Sequence, residues 1–424
     1  MKTSGTNLEH ARVHNRRVII EAVRLHGELT RAELARLTAL TPQTVSNIVA
    51  ELEQMDILTS HQPRRASGRG QPAVPVSLNP ASAWSIGIHL DHQTLIVVLF
   101  DAIWPAEFSR FDLLQDVSSR IAADEREKIF PGAMNTVVYQ GKTLGMPWIL
   151  DTKYLYYNKA MMDKAGIKTP PASWQQVMDD AKVLKDKGIV KYPLVWSWSQ
   201  AEALVCDYTT LVSGFGGSFY QNGKLDFSTP ASLKAVTLMK TSLDQGLSNP
   251  ASREYLEEDV RKAFSNGDAA FALNWTYMYN MANDPKQSKV AGDVGIVPAP
   301  GDTPDKPGAV NGSMGLGIAK ASQHPEEAWQ YIHYLTSQPV QDKYAKLSLP
   351  VWKASYQDPA VAKGQESLIA AADKSLNVML SRPETADYSR LSNTLQQQLQ
   401  SVLQGKATPD VALKAVDTSA ARLR

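Results

Sequence analysis

Between residues 60 and 83 the chain changes character, and no other feature limits its possible folds as much. Pro63, Pro72, Pro75 and Pro80, with Gly68 and Gly70, stand there among small and basic residues. Proline removes a backbone donor and glycine's freedom opposes regular structure, so neither a helix nor a central strand runs through such a stretch. The chain on either side must therefore fold separately, and 424 residues leave room for two or three domains. A hydrophobic content of 43% predicts a sizeable core, whereas a net charge of +1 gives no whole-chain attraction to nucleic acid or anionic membranes. The single cysteine, Cys206, excludes an internal disulfide and any cysteine-built metal centre. The first thirty residues carry Lys2, Glu9, Arg12, Arg16, Arg17 and Glu21 without an apolar run, which predicts no signal peptide and a cytoplasmic location for the chain as it stands.

Before the break, apolar residues recur at short helical periods: Val18, Ile19, Ala22 and Val23, then Leu34 and Leu37, then Val45, Ile48, Val49 and Leu52. Three small helices are expected. Thr30 stands as an N-cap with Glu33 at the capping-box position, residues 38–40 make a tight turn, and Thr41-Pro42 opens the third helix. With the apolar stripe inward, Gln43 and Asn47 project outward, flanked by Thr44 and Ser46. Amides and hydroxyls at the start of such a helix suit base edges and phosphates in a major groove, and Gln or Asn pairs in bidentate fashion with adenine. Arg64, Arg65 and Arg69, with no acid between them, suit phosphates or a minor groove. A helical bundle that docks on protein is the alternative reading of the trio.

These features, with the Gly-Arg-Gly-Gln-Pro run at residues 68–72, resemble the ROK family of sugar-responsive repressors over residues 10–100. The resemblance implies double-stranded DNA as a partner and a winged helix-turn-helix over residues 1–75. Residues 86–90 and 94–100 read as a hairpin about the polar turn Asp91-His92-Gln93, placed with the linker in a segment 76–100. In that family an actin-like sugar-kinase fold begins at this hairpin. Here the turn lacks the phosphate-loop glycine and one cysteine cannot supply the family's zinc motif, so ATP binding is not expected.

From Asp101 onward, long amphipathic stretches alternate with short apolar ones, which is an α/β pattern. The stretches DAIWPAEF, GMPWILDTKYLYYNK, AFSNGDAAFALNWTYMY and NGSMGLGIAKASQHPEEAWQYIHYL, at residues 101–108, 145–159, 263–279 and 311–335, resemble family 1 solute-binding proteins of sugar ABC importers. The resemblance implies a periplasmic-binding-protein-like, type II, two-lobed fold over residues 101–424, an exported location and permease subunits as partners. It also implies a first lobe lacking its opening βα units.

Capture of a polyol needs flat rings for its C–H faces and paired polar groups for its hydroxyls. Carried from the resemblance, the sugar-binding residues are Asp101, Trp104, Asp151, Asn274, Trp275, Tyr277, Gly312, Ser313 and Arg382, with Met314 in the adjoining backbone wall. Trp198, Glu202 and Tyr208 form a second rank, and for each aromatic the competing role is core packing. Trp174 and Trp329, on amphipathic stretches, are expected in the core. The paired acids Asp179-Asp180 and Glu257-Glu258 read as solvated helix faces.

Neither glycine cluster, at residues 214–217 or 312–317, has a phosphate-loop spacing, so no cofactor is expected. His10 with His14, and His89 with His92, lack a third ligand, and no metal is expected. No nucleophile elbow is present, so the chain is not expected to be an enzyme. Three readings of the join remain: a carbohydrate-binding protein whose front end is a fusion product, a sugar-responsive DNA-binding regulator, or a non-functional fusion.

Overall fold

The computed structural model describes residues 15–16, 18–20, 22–23, 26–54, 57–62, 74–79, 87–90 and 95–423. The chain divides into two compact units, Met1–Ser85 and Ile86–Arg424. Arg64, Arg65, Arg69, the run at 68–72, the turn at 91–93, and His10 and His14 lie outside the described residues.

In the first unit, the described part of residues 15–26 is helical, followed by α1 (Arg31–Thr38) and α2 (Pro42–Gln54). Thr30 caps α1 with a full capping box to Glu33, which satisfies backbone donors that no turn of helix can reach. Ala39 adopts φ 55°, so the turn between the helices is left-handed. The strands β1 (Leu29–Thr30), β2 (Leu58–Ser60) and β3 (Pro75–Leu78) form an antiparallel sheet in the order β1-β3-β2. Ile19, Val23, Leu34, Val45, Ile48, Val49 and Leu52 close the small core, as their period requires. Leu37 departs from that pattern and is 52% exposed, one residue before α1 ends at Thr38.

In the second unit, β4 (Gly87–Leu90) pairs antiparallel with β5 (Leu95–Asp101), and β5 in turn pairs with a strand from the far end of the chain. With β6 (Met146–Ile149) and β11 (Met314–Ile318), these make an antiparallel sheet in the order β4-β5-β11-β6. The hairpin assigned from sequence to the linker segment thus has its second strand inside the first lobe's sheet, because the run Leu95–Asp101 needs partners on both edges. The second lobe's sheet joins β7 (Lys153–Asn158), β8 (Leu194–Val195), β9 (Phe271–Trp275) and β10 (Val294–Pro298) in the order β8-β9-β7-β10. Only β8 with β9 is parallel. Helices cover both sheets, among them α3 (Pro105–Arg110), α4 (Glu202–Gly214), α5 (Glu257–Asn266), α6 (Pro325–Thr336) and α7 (Tyr388–Leu403). Trp174 is buried as expected, while Trp329 packs on the core only in part, beneath Arg120.

Candidate ligand-binding site

The chain passes between the two sheets of the second unit at three places, and each carries residues singled out in the sequence. At the first, between β6 and β7, Asp151 accepts from Gly312 N through its carbonyl at 3.0 Å. Its carboxylate accepts from Thr152 N at 2.9 Å, from Thr276 N at 3.3 Å and from the Thr276 hydroxyl. Burial pushes that carboxyl up to about 7, against the hydrogen bonds from Thr276. Asp151 therefore fastens the end of β9 to the crossing. At the second, between β10 and β11, the Ser313 carbonyl accepts from Ala102 N at 3.1 Å, and Asn311 N donates to Leu380 O at 2.9 Å. Gly312 is required by its neighbour: a Cβ there would fall 2.3 Å from Cζ3 of Trp275.

At the third crossing Arg382, 4% exposed, spans the two lobes. Its Nη2 donates to Asp101 Oδ1 at 2.5 Å, at the end of β5, and its Nη1 to Glu202 Oε1 at 2.8 Å, at the start of α4. Burial opposes the guanidinium charge, but Asp101 and then weaker neighbours including Glu202 hold it well above its ordinary range. Glu202 also accepts from the Tyr388 hydroxyl and the Ser392 hydroxyl, both at 2.5 Å. Asp101 and Glu202 keep side-chain exposures of 23% and 33%, so the arginine is sealed while its acids face outward.

Trp275 ends β9 and is half-buried. Its Nε1 donates to Glu257 Oε1 at 3.2 Å, and Lys153 Nζ lies 5.0 Å from its ring centroid. Two residues on, the Tyr277 hydroxyl donates to Glu258 Oε2 at 3.2 Å, and burial together with Glu258 raises its pKa. The acids Glu257 and Glu258, read from sequence as a solvated face, therefore hold both aromatics, because α5 begins beside the end of β9. Lys153 is wholly buried against Asp207 Oδ1 at 2.5 Å and Ser197 Oγ at 2.9 Å. Burial opposes its charge, yet Asp207 and Glu257 together hold its pKa above the ordinary ammonium value. Burial pushes the Asp207 carboxyl up, and the Lys153 ammonium beside it acts against that. Sequence reading missed this pair, although a lysine opening an otherwise apolar strand was a signal of it.

Six of the residues proposed from the sequence have side chains that are not open to a ligand, among them Ser313, with no exposure, and the sealed Arg382. Asn274 is fully buried, its amide donating to Glu257 O at 2.8 Å and accepting from Trp275 N at 2.8 Å. Trp198 and Tyr208 have no exposure and lie in the second lobe's core, Trp198 stacked on Trp196 with centroids 4.9 Å apart. Trp104 is 9% exposed and stacks on Phe108 at 6.0 Å, so it belongs to the first lobe's core rather than to an open platform. Some covering neighbours are close in sequence, Phe108 to Trp104 and Trp196 to Trp198, but the cores that these aromatics enter draw on segments throughout each lobe, which spacing does not reveal.

Glu107, in α3, is a further buried acid. Burial first, then Asp387, push its carboxyl from 4.5 up to about 7, with Arg110 acting against them. A folded-state value above the unfolded one means that the stability tied to this proton is complete below about pH 4.5 and lost as pH rises through 7. Glu107→Gln is therefore expected to shrink the fall in unfolding free energy over that window by about 3 kcal/mol. Urea titrations at a series of pH values check this, and identical slopes in both proteins would contradict it.

In the first unit, α2 turns Val45, Ile48, Val49 and Leu52 inward, and leaves Gln43 and Asn47 exposed with Thr44 and Ser46 partly so. Gln43 Nε2 donates to Asn47 Oδ1 at 3.0 Å, which aligns the two amides on one face, and Thr41 caps the helix start through Thr44 N at 3.2 Å.

Two sheets joined by three crossings, with a charged cluster at the crossings, define a two-lobed solute-binding protein preceded by a winged helix-turn-helix. The family described as "Bacterial extracellular solute-binding protein" matches residues 93–342, more than half of the chain. The chain belongs to that family. A second match, "Winged helix-turn-helix DNA-binding", covers residues 14–59. A "Probable ABC transporter-binding protein" of Deinococcus radiodurans is 28% identical over 340 residues, covering 77% of this chain and 80% of the relative. The "sn-glycerol-3-phosphate-binding periplasmic protein UgpB" of Escherichia coli is 28% identical over 294 residues, covering 64% of this chain and 65% of that one. The solved structure "Maltose bound T. maritima MalE3" superposes with a TM-score of 0.70 at 29% identity, over 77% of this chain and 83% of that one. The first two are named as binding proteins and the third as maltose bound, and no helix among the described residues is long and apolar enough to cross a membrane.

Proposed function

We propose that the second unit captures a sugar or other polyol between its lobes and delivers it to the permease subunits of an ABC importer. The observation that carries this reading is the joining of Asp101, Glu202, Arg382, Asp151, Gly312 and Trp275 in one connected cluster at the three crossings. Carboxylates accept from hydroxyls in charge-assisted hydrogen bonds, and a fixed indole covers a ring's apolar face. A ligand that bridges the lobes favours the closed arrangement by contacts that the open one lacks. Calorimetry of the full chain against maltose, ribitol and a panel of monosaccharides tests it. Saturable binding of at least one is expected, and a folded chain that binds none overturns the reading.

A second reading is favoured by the exposed amides of α2 and the winged helix-turn-helix match: the chain is a DNA-binding regulator that polyol capture controls. The resemblance of residues 68–72 to the ROK wing supports a ROK-like repressor, joined here to a transport protein. Selection from random duplexes is then expected to enrich one sequence, with affinity falling steeply as salt rises. Gln43→Ala with Asn47→Ala should cost about 1 to 3 kcal/mol for that sequence while leaving non-specific binding unchanged. Equal affinity of variant and wild type for the selected site would count against it.

A further inference from the structure

The relatives of this fold are named for both an uncharged sugar and a phosphate ester, so the fold by itself does not say which kind the site accepts. The charged groups at the crossings do. An oxyanion of a phosphate needs an available cation, and the guanidinium is the group best shaped to receive it. Here both Nη groups of Arg382 are taken, one by Asp101 and one by Glu202, and its Nε is sealed from solvent. Lys153 is wholly buried against Asp207, and Arg261 is held by Glu258 through Nε at 2.9 Å and Nη2 at 2.7 Å. Asp101 and Glu202, by contrast, are partly accessible although the arginine between them is not.

We infer that Asp101 and Glu202, by occupying both arms of the Arg382 fork, make this site select an uncharged polyol and reject a phosphate ester. The inference rests on the polyol-capture reading. A phosphate dianion set against two carboxylates is repelled by both, and it cannot reach the Arg382 guanidinium without displacing one of them. An uncharged hydroxyl meets the same carboxylates as a donor. The selectivity therefore arises by repulsion as much as by fit.

The experiment is calorimetry of the full chain, folded by circular dichroism, with ribitol and maltose as uncharged probes and sn-glycerol 3-phosphate and inorganic phosphate as anionic ones. Wild type is expected to bind an uncharged probe at least about a hundredfold tighter than either anion. The double variant Asp101→Asn, Glu202→Gln keeps side-chain shape and removes both negative charges. It should gain affinity for sn-glycerol 3-phosphate by about tenfold or more, and lose a comparable factor for the uncharged probe. Wild type binding sn-glycerol 3-phosphate as tightly as ribitol or maltose overturns the inference while capture itself stands. A folded variant with no gain for the phosphate ester also overturns it. Wild type binding no probe at all removes the capture reading, and this inference with it. The wild-type comparison alone decides if the variant does not fold.

Discussion

Lys153→Met is expected to destabilise the second unit by about 3 to 5 kcal/mol, because it leaves the Asp207 carboxylate buried without its partner. The two groups have no exposure, and Asp207 Oδ2 is further held by Ser197 N and Ser197 Oγ, both at 3.1 Å. Those neutral donors do not replace a full positive charge. The double variant Lys153→Met, Asp207→Leu removes the orphaned charge and should recover most of the loss, since an apolar pair of similar volume is often as stable as a buried ion pair. Urea denaturation of the four proteins in the cycle measures the coupling directly. A single variant as stable as wild type would mean that water reaches this pair.

The second large effect falls on affinity. Trp275→Ala should weaken polyol capture by about 2 kcal/mol or more, roughly thirtyfold, with little change in the melting transition. The ring is fixed on three sides, by the Glu257 carboxylate at Nε1, by Lys153 beneath it and by the Gly312 backbone against its benzo edge. A ring already held in place gives up little rotamer freedom on meeting a ligand, so its contact appears almost wholly as affinity. Gly312→Ala attacks the same contact from the other side. Its added methyl overlaps the ring, and the indole must move, so affinity should fall while Trp275 itself is intact. Trp275→Ala binding the identified polyol as tightly as wild type would place the ligand elsewhere.

Much of the molecule was legible in the chain before its structure. The capping box at Thr30 and Glu33 and the stripe from Val45 to Leu52 are local patterns, and both appear where their spacing puts them. Arg382, Asp101, Asp151, Trp275 and Gly312 were all singled out through resemblance, and they meet at the crossings. The errors share one cause. Trp198, Tyr208 and Trp104 have the same chemistry as a stacking platform, and only the helices and strands packed over them make them core. Asn274 spends its amide on the Glu257 carbonyl and on the backbone N–H of the next residue, Trp275, because α5 packs beside the end of β9.

Helix periods, caps and the break between the two units follow from interactions a few residues apart, so the chain's own order determined them. The roles of its charged groups did not follow in that way. Arg382 is 281 positions from Asp101 and 180 from Glu202, and Lys153 is 54 from Asp207. Whether a buried cation is free for a ligand or already neutralised depends on which acids the fold carries to it, and desolvation makes that choice consequential. Only the tertiary structure brought those partners together, and with them the sign of the charge that a ligand meets.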